Sequence, residues 1–227
     1  MKITKQTNMT QNHPVIRFNN VSLSFKDKRI ITGFSLDIHK GEKVVLFAPS
    51  GTGKTSLLMS ALGFIQPSSG SIFFDNNELA PSNIHHLRER IAFVPQELLF
   101  HDEPVRDFIE DICRFHSNRH IAYPLTAIQP LLKIFHLKPS VLDSSLGTLS
   151  GGEKQRIALC TALLLKREIF FLDEPTSALD AHLKKVVIDY FLSNPEWTVC
   201  VVSHDKEWYN HQNAAIIPLE GYIHGNV

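Results

Sequence analysis

The 227-residue sequence has no surplus of either charge, few cysteines and no long apolar run. Lys and Arg total 23, as do Asp and Glu, so the formal net charge is +0. The electrostatic footprint of a nucleic-acid or anionic-lipid binder is therefore missing, and no nucleic-acid partner is expected. The three cysteines, Cys113, Cys160 and Cys200, stand far apart in apolar surroundings. They have neither disulfide nor metal-ligand spacing and read as small buried hydrophobes in a reducing compartment. The apolar stretch 157–165 falls far short of the roughly 20 residues of a bilayer span. The polar N-terminus, MKITKQTNMTQNHP, lacks the apolar core of a signal peptide. A cytosolic chain that reaches a membrane only through a partner is the expectation. With 43% hydrophobic and 20% charged residues, the composition excludes disorder over most of the chain. It fits one sizeable core with a small subdomain.

Hydrophobic periodicity then divides the chain. Residues 1–13 are polar and aperiodic, a loose tail ending at Pro14. Alternation over 15–25 and 33–38 predicts an antiparallel pair, whereas 44–47 is a continuous apolar run suited to a strand buried on both faces. A glycine-rich turn and a helix over 55–62 follow, stopped by Gly63. Gly70 opens a strand over 71–74, Asn76 and Asn77 sit in the next turn, and the strand 91–94 ends at Pro95. From 105 to 146 the period becomes helical, through Val105, Phe108, Ile109 and Ile112 and then Ile128, Leu131, Leu132 and Phe135. Pro130 is expected to kink this second pattern or to restart it. A helix over 151–166, a strand over 169–172, a helix over 181–192 and a strand over 198–202 complete the pattern. Strands alternating with helices predict an α/β fold with a mostly parallel sheet covered on both faces.

Directly after the buried strand stands Ala48-Pro49-Ser50-Gly51-Thr52-Gly53-Lys54-Thr55, with Ser56 next. In a strand, turn, helix context this is a phosphate-binding loop. Glycines let successive N–H groups point at phosphate oxygens, and the helix N-terminus adds partial positive charge. Lys54 supplies a mobile cation for the outer phosphates, and the Thr55 hydroxyl is a hard oxygen ligand for Mg²⁺. The usual first residue is Gly, and Ala48 here adds one methyl, which is expected to alter the turn slightly without loss of binding.

A second glycine turn, Leu149-Ser150-Gly151-Gly152-Glu153-Lys154-Gln155-Arg156, opens a helix. Ser150 and Glu153 form a capping-box pattern. The cap alone needs no glycines, which weaken a helix by roughly 1 kcal/mol each relative to Ala. Close approach of a phosphate to the backbone explains them better. The octapeptide resembles the signature motif of the ABC ATPases over its full length. Further on, Ile169-Phe170-Phe171-Leu172-Asp173-Glu174-Pro175 is an apolar strand that delivers two carboxylates at its carboxyl end, where ligands sit in open parallel sheets.

The resemblance covers residues 15–219 and implies a P-loop ATPase core with an N-terminal antiparallel β subdomain and an inserted helical subdomain. The implied partition is core over 14–96 and 150–227, with the insert at 97–149. Asp173 then matches the Walker B aspartate for Mg²⁺, and Glu174 the residue that polarises the attacking water. Gln96 matches the Q-loop glutamine, which contacts Mg²⁺ and the water. Asp180, in Ser177-Ala178-Leu179-Asp180, matches the D-loop, and His204, in Ser203-His204-Asp205, the switch histidine. Phe25 matches the aromatic that stacks on adenine. Taken singly, each has a bland reading: a surface Gln, a helix-capping Asp, a buried His, a core Phe. Histidines 85, 86, 116 and 120 lack ligand spacing and read as surface or packing residues.

What the family implies is ATP sandwiched in a head-to-tail homodimer or pseudo-dimer. The Lys54 loop of one copy faces Ser150, Gly151 and Gly152 of the other, with ATP and Mg²⁺ as cofactors. A separate transmembrane permease subunit would place the chain on the cytoplasmic face of the cell membrane. The groove reaching that subunit would be lined by residues 96–108, including Leu98-Leu99-Phe100 and Pro104-Val105. Pro104 stands where a Thr is frequent. A soluble ABC ATPase of DNA maintenance or translation, or a nucleotide-gated regulatory module, is the alternative. The absence of long heptad insertions and of a tandem ATPase domain, and the presence of Glu174 and His204, favour transport. The length disfavours the sugar-importer type. The stretch 203–211 is similar to that of compact ATPases assigned to metal or iron export.

Overall fold

The computed structural model describes residues 13–26, 28–49, 52–98, 101–118 and 125–223. The tail up to residue 12 lies outside them, as do Ser50, Gly51, Leu99, Phe100 and His120. In chain order the first half holds β1 (Ile16–Phe25), β2 (Lys28–Ile38), β3 (Lys43–Phe47), α1 (Lys54–Ala61), β4 (Ser69–Phe74), β5 (Asn77–Glu78), α2 (Ile84–Arg90) and β6 (Ile91–Val94). The second half holds α3 (Val105–Arg114), α4 (Leu125–Ile134), α5 (Gly151–Leu164), β7 (Ile169–Asp173), α6 (Ala181–Ser193), β8 (Thr198–Ser203), α7 (Lys206–Tyr209) and β9 (Ala215–Pro218).

The strands form two sheets. One is antiparallel, ordered β2-β1-β4-β5; the other is parallel, ordered β6-β7-β8-β3-β9. Both faces of the parallel sheet are covered, which is why its strands read as continuous apolar runs. Val45, Phe170, Leu172, Val199 and Val201 pack with α3, α4, α5 and α6 on one face. Val44, Leu46, Phe171, Cys200 and Val202 pack with α1 and the antiparallel sheet on the other. Strand periodicity of two sends alternate residues of one strand into two separate cores.

Several local expectations shift. The turn between β4 and β5 is Asp75-Asn76, both at positive φ (45° and 65°), and Asn77 already belongs to β5. Such a two-residue hairpin loop needs positive φ at both centres, which Asp and Asn tolerate. Pro130 does not restart the helical pattern but lies inside α4. Burial of Ile128, Leu132 and Phe135 outweighs the one backbone hydrogen bond that proline forfeits. Helix α5 stops at Leu164, two residues early, because Lys166 turns to φ 51°. Helix α2 and strand β9 carry no clear periodic signal and were not expected from the sequence.

The segment with α3 and α4 is clamped at its base by Val105 N–H to Ser144 O (3.0 Å) and Leu146 N–H to Glu103 O (2.8 Å). Two arginines brace the sheets and the α3 segment together. Arg90 bonds Glu168 (2.6 Å) and Asp75 of the antiparallel lobe, while Arg167 bonds the Glu89 carbonyl and Asn118 beyond α3.

Candidate active site

Strand register assembles the site. Phe47 pairs with Ser203, Val202 with Asp173, and Leu172 with Val94. The carboxyl ends of β3, β8, β7 and β6 therefore lie in one row, and each is followed by a candidate residue. That edge is where an open parallel sheet places its ligands.

After β3 the chain turns into α1 through Gly53, at φ 87°. A Cβ there would meet Ile30 of the β2 strand at 2.1 Å, so only glycine fits. Thr52 Oγ1 bonds the Pro49 carbonyl (2.7 Å). The Lys54 ammonium is buried, donates to the carbonyls of Ala48 (2.7 Å) and Pro49 (2.9 Å), and lies 3.6 Å from Glu174. Thr55 Oγ1 donates to Asp173 Oδ2 at 2.6 Å, and Ser56 sits half-buried behind it. Ala48 is fully buried, so its extra methyl fills core volume.

Asp173 and Glu174 are both buried, at 1% and 3% exposure. Burial, reinforced by the neighbouring Glu174 charge, raises the Asp173 carboxyl above its ordinary range, against the hydrogen bond from Thr55. Glu174 has φ 47°, a left-handed conformation uncommon for a non-glycine residue. Its N–H bonds the Val202 carbonyl (2.8 Å), which holds the turn. Its carboxylate faces His204 Nδ1 at 2.9 Å and accepts from Ser203 Oγ at 3.3 Å. Lys54, Thr55, Asp173, Glu174 and His204 thus form one contiguous constellation.

The remaining candidates stand apart from these contacts. Gln96 is exposed just beyond β6 and has no hydrogen-bond partner among the described residues. Phe25, 57% exposed, ends β1 at the hairpin whose Ile30 covers Gly53. Ser150 caps α5 reciprocally with Glu153, and Asp180 caps α6 through Leu183 N–H (2.9 Å). The Ser150 hydrogen bonds hold the Glu153 carboxyl below its usual range.

Of the two signature glycines, Gly152 has a reason inside the chain: an added Cβ would lie 2.8 Å from the Ala178 carbonyl oxygen. Gly151 has none, since its Cβ would make only an ordinary 3.7 Å contact. The phosphate argument is therefore needed for Gly151 alone. Sequence reading gave no role to Ser203 or Thr176. A single hydroxyl has no periodic or spacing signal, and only strand register brings Ser203 to Glu174.

Comparison with known proteins follows this geometry. The profile of the ABC transporter family matches residues 31–177. The chain is 29% identical over 211 residues to the "Probable iron export ATP-binding protein FetA" of Escherichia coli (strain K12), covering 92% of each. It is 31% identical over 221 residues to the ATP-dependent lipid A-core flippase of Desulfotalea psychrophila, 92% of this chain but 37% of that protein. The chain thus spans little more than a third of the flippase. Among solved structures, a bacterial Atm1-family ABC exporter with ATP bound superposes with TM-score 0.80 at 24% identity. That match covers 92% of this chain and 38% of the exporter, and shows the fold.

Proposed function

Because the chain belongs to the ABC transporter family, we propose that it is the ATP-binding, ATP-hydrolysing subunit of a transporter whose membrane-spanning part is a separate polypeptide. The observation that carries the proposal is the row of strand ends that brings Lys54, Thr55, Asp173, Glu174 and His204 into contact. No helix among the described residues is long and apolar enough to cross a membrane. The near-complete mutual coverage with FetA, a relative named for iron export, supports a separate ATPase subunit on the export side.

Phosphoryl transfer to water needs positioning and charge neutralisation more than covalent chemistry. Lys54 exchanges the Ala48 and Pro49 carbonyls for the outer phosphate oxygens of ATP. Mg²⁺ fits beside it: Asp173 Oδ1 is buried without a hydrogen-bond partner among the described residues, next to the Thr55 hydroxyl. An anionic oxygen left unsatisfied beside a hydroxyl is a hard-cation donor set. When bound there, the ion offsets charge on the phosphates. Glu174, held by Ser203 and His204, orients the attacking water and receives its proton. Gln96 completes the site from the β6 side, Phe25 stacks on the adenine ring, and residues 97–149 form the insert.

A second copy supplies the amides of Gly151 and Gly152 to the γ-phosphate. The test uses Glu174→Gln. The variant is expected to lose turnover by roughly 100-fold or more, still bind MgATP, and elute as a dimer. Co-expressed with its transmembrane permease subunit, it should sediment with membranes. A strictly monomeric variant saturated with MgATP, alone and with that partner, would defeat the proposal.

A further inference from the structure

The segments that follow Glu174 and β8 are joined by a chain of polar contacts centred on Asp205. Asp205 Oδ2 accepts from Thr176 Oγ1 and Oδ1 accepts from Lys184 Nζ, both at 2.8 Å. Thr176 is fully buried, and its hydroxyl oxygen accepts from the indole Nε1 of buried Trp208 (3.0 Å). The Asp205 N–H donates to Ser203 Oγ (3.1 Å), which donates on to Glu174. An indole N–H can only donate and a carboxylate only accept, so the direction of each bond in this chain is fixed.

Lys184 enters from α6, one turn beyond the Asp180 cap. Its side chain and that of Asp205 are 18% and 12% exposed. So little exposure costs both ions much of their hydration, and such pairs are seldom net stabilisers compared with apolar packing. Their contribution lies in geometry. The lysine charge pins a carboxylate that reaches at once into the 174–180 segment, through Thr176, and the 203–205 segment, which presents Ser203 and His204 to Glu174.

We infer that Lys184 is a positioning residue for ATP hydrolysis, setting the approach of His204 and Ser203 to Glu174 through Asp205 while touching no nucleotide. The inference rests on the reading of Glu174 and His204 as the hydrolytic pair. It also joins the start of α6 to the switch segment through Asp205.

The experiment measures kcat and KM for ATP on the full chain, well below its melting temperature, for Lys184→Met, Lys184→Arg, Asp205→Asn and the Lys184→Met/Asp205→Asn pair. Lys184→Met is expected to lower kcat roughly 10-fold with KM within about twofold. Lys184→Arg should recover turnover to within about threefold, because it restores the cation. Asp205→Asn should behave as Lys184→Met does, and the double variant should be no worse than either single, the mark of one shared pathway. A Lys184→Met kcat within twofold of the parent overturns the inference. So does a fall in kcat matched by an equal fall in ATP affinity that Arg does not rescue. Should Lys184→Met fail to fold, the Asp205→Asn kcat decides by the same criterion. Glu174→Gln is run alongside: parental turnover there would instead sink the reading of the hydrolytic pair.

Discussion

Gly152 and Ala178 approach so closely that a single Cβ on the glycine would sit 2.8 Å from the alanine carbonyl oxygen. The signature turn and the segment leading to Asp180 are thus packed against each other inside one chain. Gly151→Ala and Gly152→Ala should consequently fail differently. Gly152→Ala must displace backbone, and we expect it to cost about 1–3 kcal/mol of stability as well as turnover. Gly151→Ala, with room for its methyl, should leave thermal unfolding nearly unchanged while lowering turnover roughly 10-fold. Melting curves and ATPase rates on the two variants check this.

Phe25 is 57% exposed and belongs to neither core cluster among the described residues. Phe25→Ala should raise KM for ATP by about 3–10-fold with kcat nearly unchanged, the pattern of lost uniform binding. Its melting temperature should match the parent. GTP, whose ring presents different edges but the same kind of face, should be affected to a similar degree.

Asp173 pairs one oxygen with Thr55 and leaves the other unpartnered among the described residues. Asp173→Asn should therefore raise the Mg²⁺ concentration for half-maximal turnover by at least about 10-fold. Titration of Mg²⁺ at fixed ATP measures it, and chelation with EDTA should abolish turnover in the parent.

Asp205 has a pH signature. Burial alone would raise its carboxyl, but the Lys184 and Thr176 hydrogen bonds and the Lys184 and His204 charges outweigh burial and hold it below its ordinary value. A depressed folded-state pKa contributes stability that is present above the unfolded value, near 3.9 for Asp, and is lost as pH falls through the folded one. Asp205→Asn should melt below the parent by about 2–4 °C at pH 7. The gap should shrink as the pH is taken below about 4. A gap independent of pH would remove the ionic explanation.

The chemistry was legible because it is local. Glycines, Lys54 and Thr55 lie within a few residues of one another, and Asp173 with Glu174 ends an apolar run, so spacing alone marks them. Segments with strong periodicity were legible for the same reason, as in the strand around Val45 or the face through Ile109. Short elements were legible only in part. Helix α2 has seven residues and β9 has four with alternating exposure, too few to show a period above noise. The fresh start offered at Pro130 did not occur, because propensity counts one lost hydrogen bond and cannot see the buried surface around Ile128 and Leu132.

The sequence by itself determined the residue types, the order of the motifs and the alternation that sends Val44 and Val45 to opposite cores. Only the tertiary structure decided that Gly152 answers to Ala178 while Gly151 does not, and that Lys184, Thr176 and Trp208 meet around Asp205. These contacts join residues 21 to 32 apart in the chain. A covalent neighbourhood fixes backbone preferences within a turn or two. Partners that distant are chosen only when the sheet register and helix packing bring their side chains within hydrogen-bond reach.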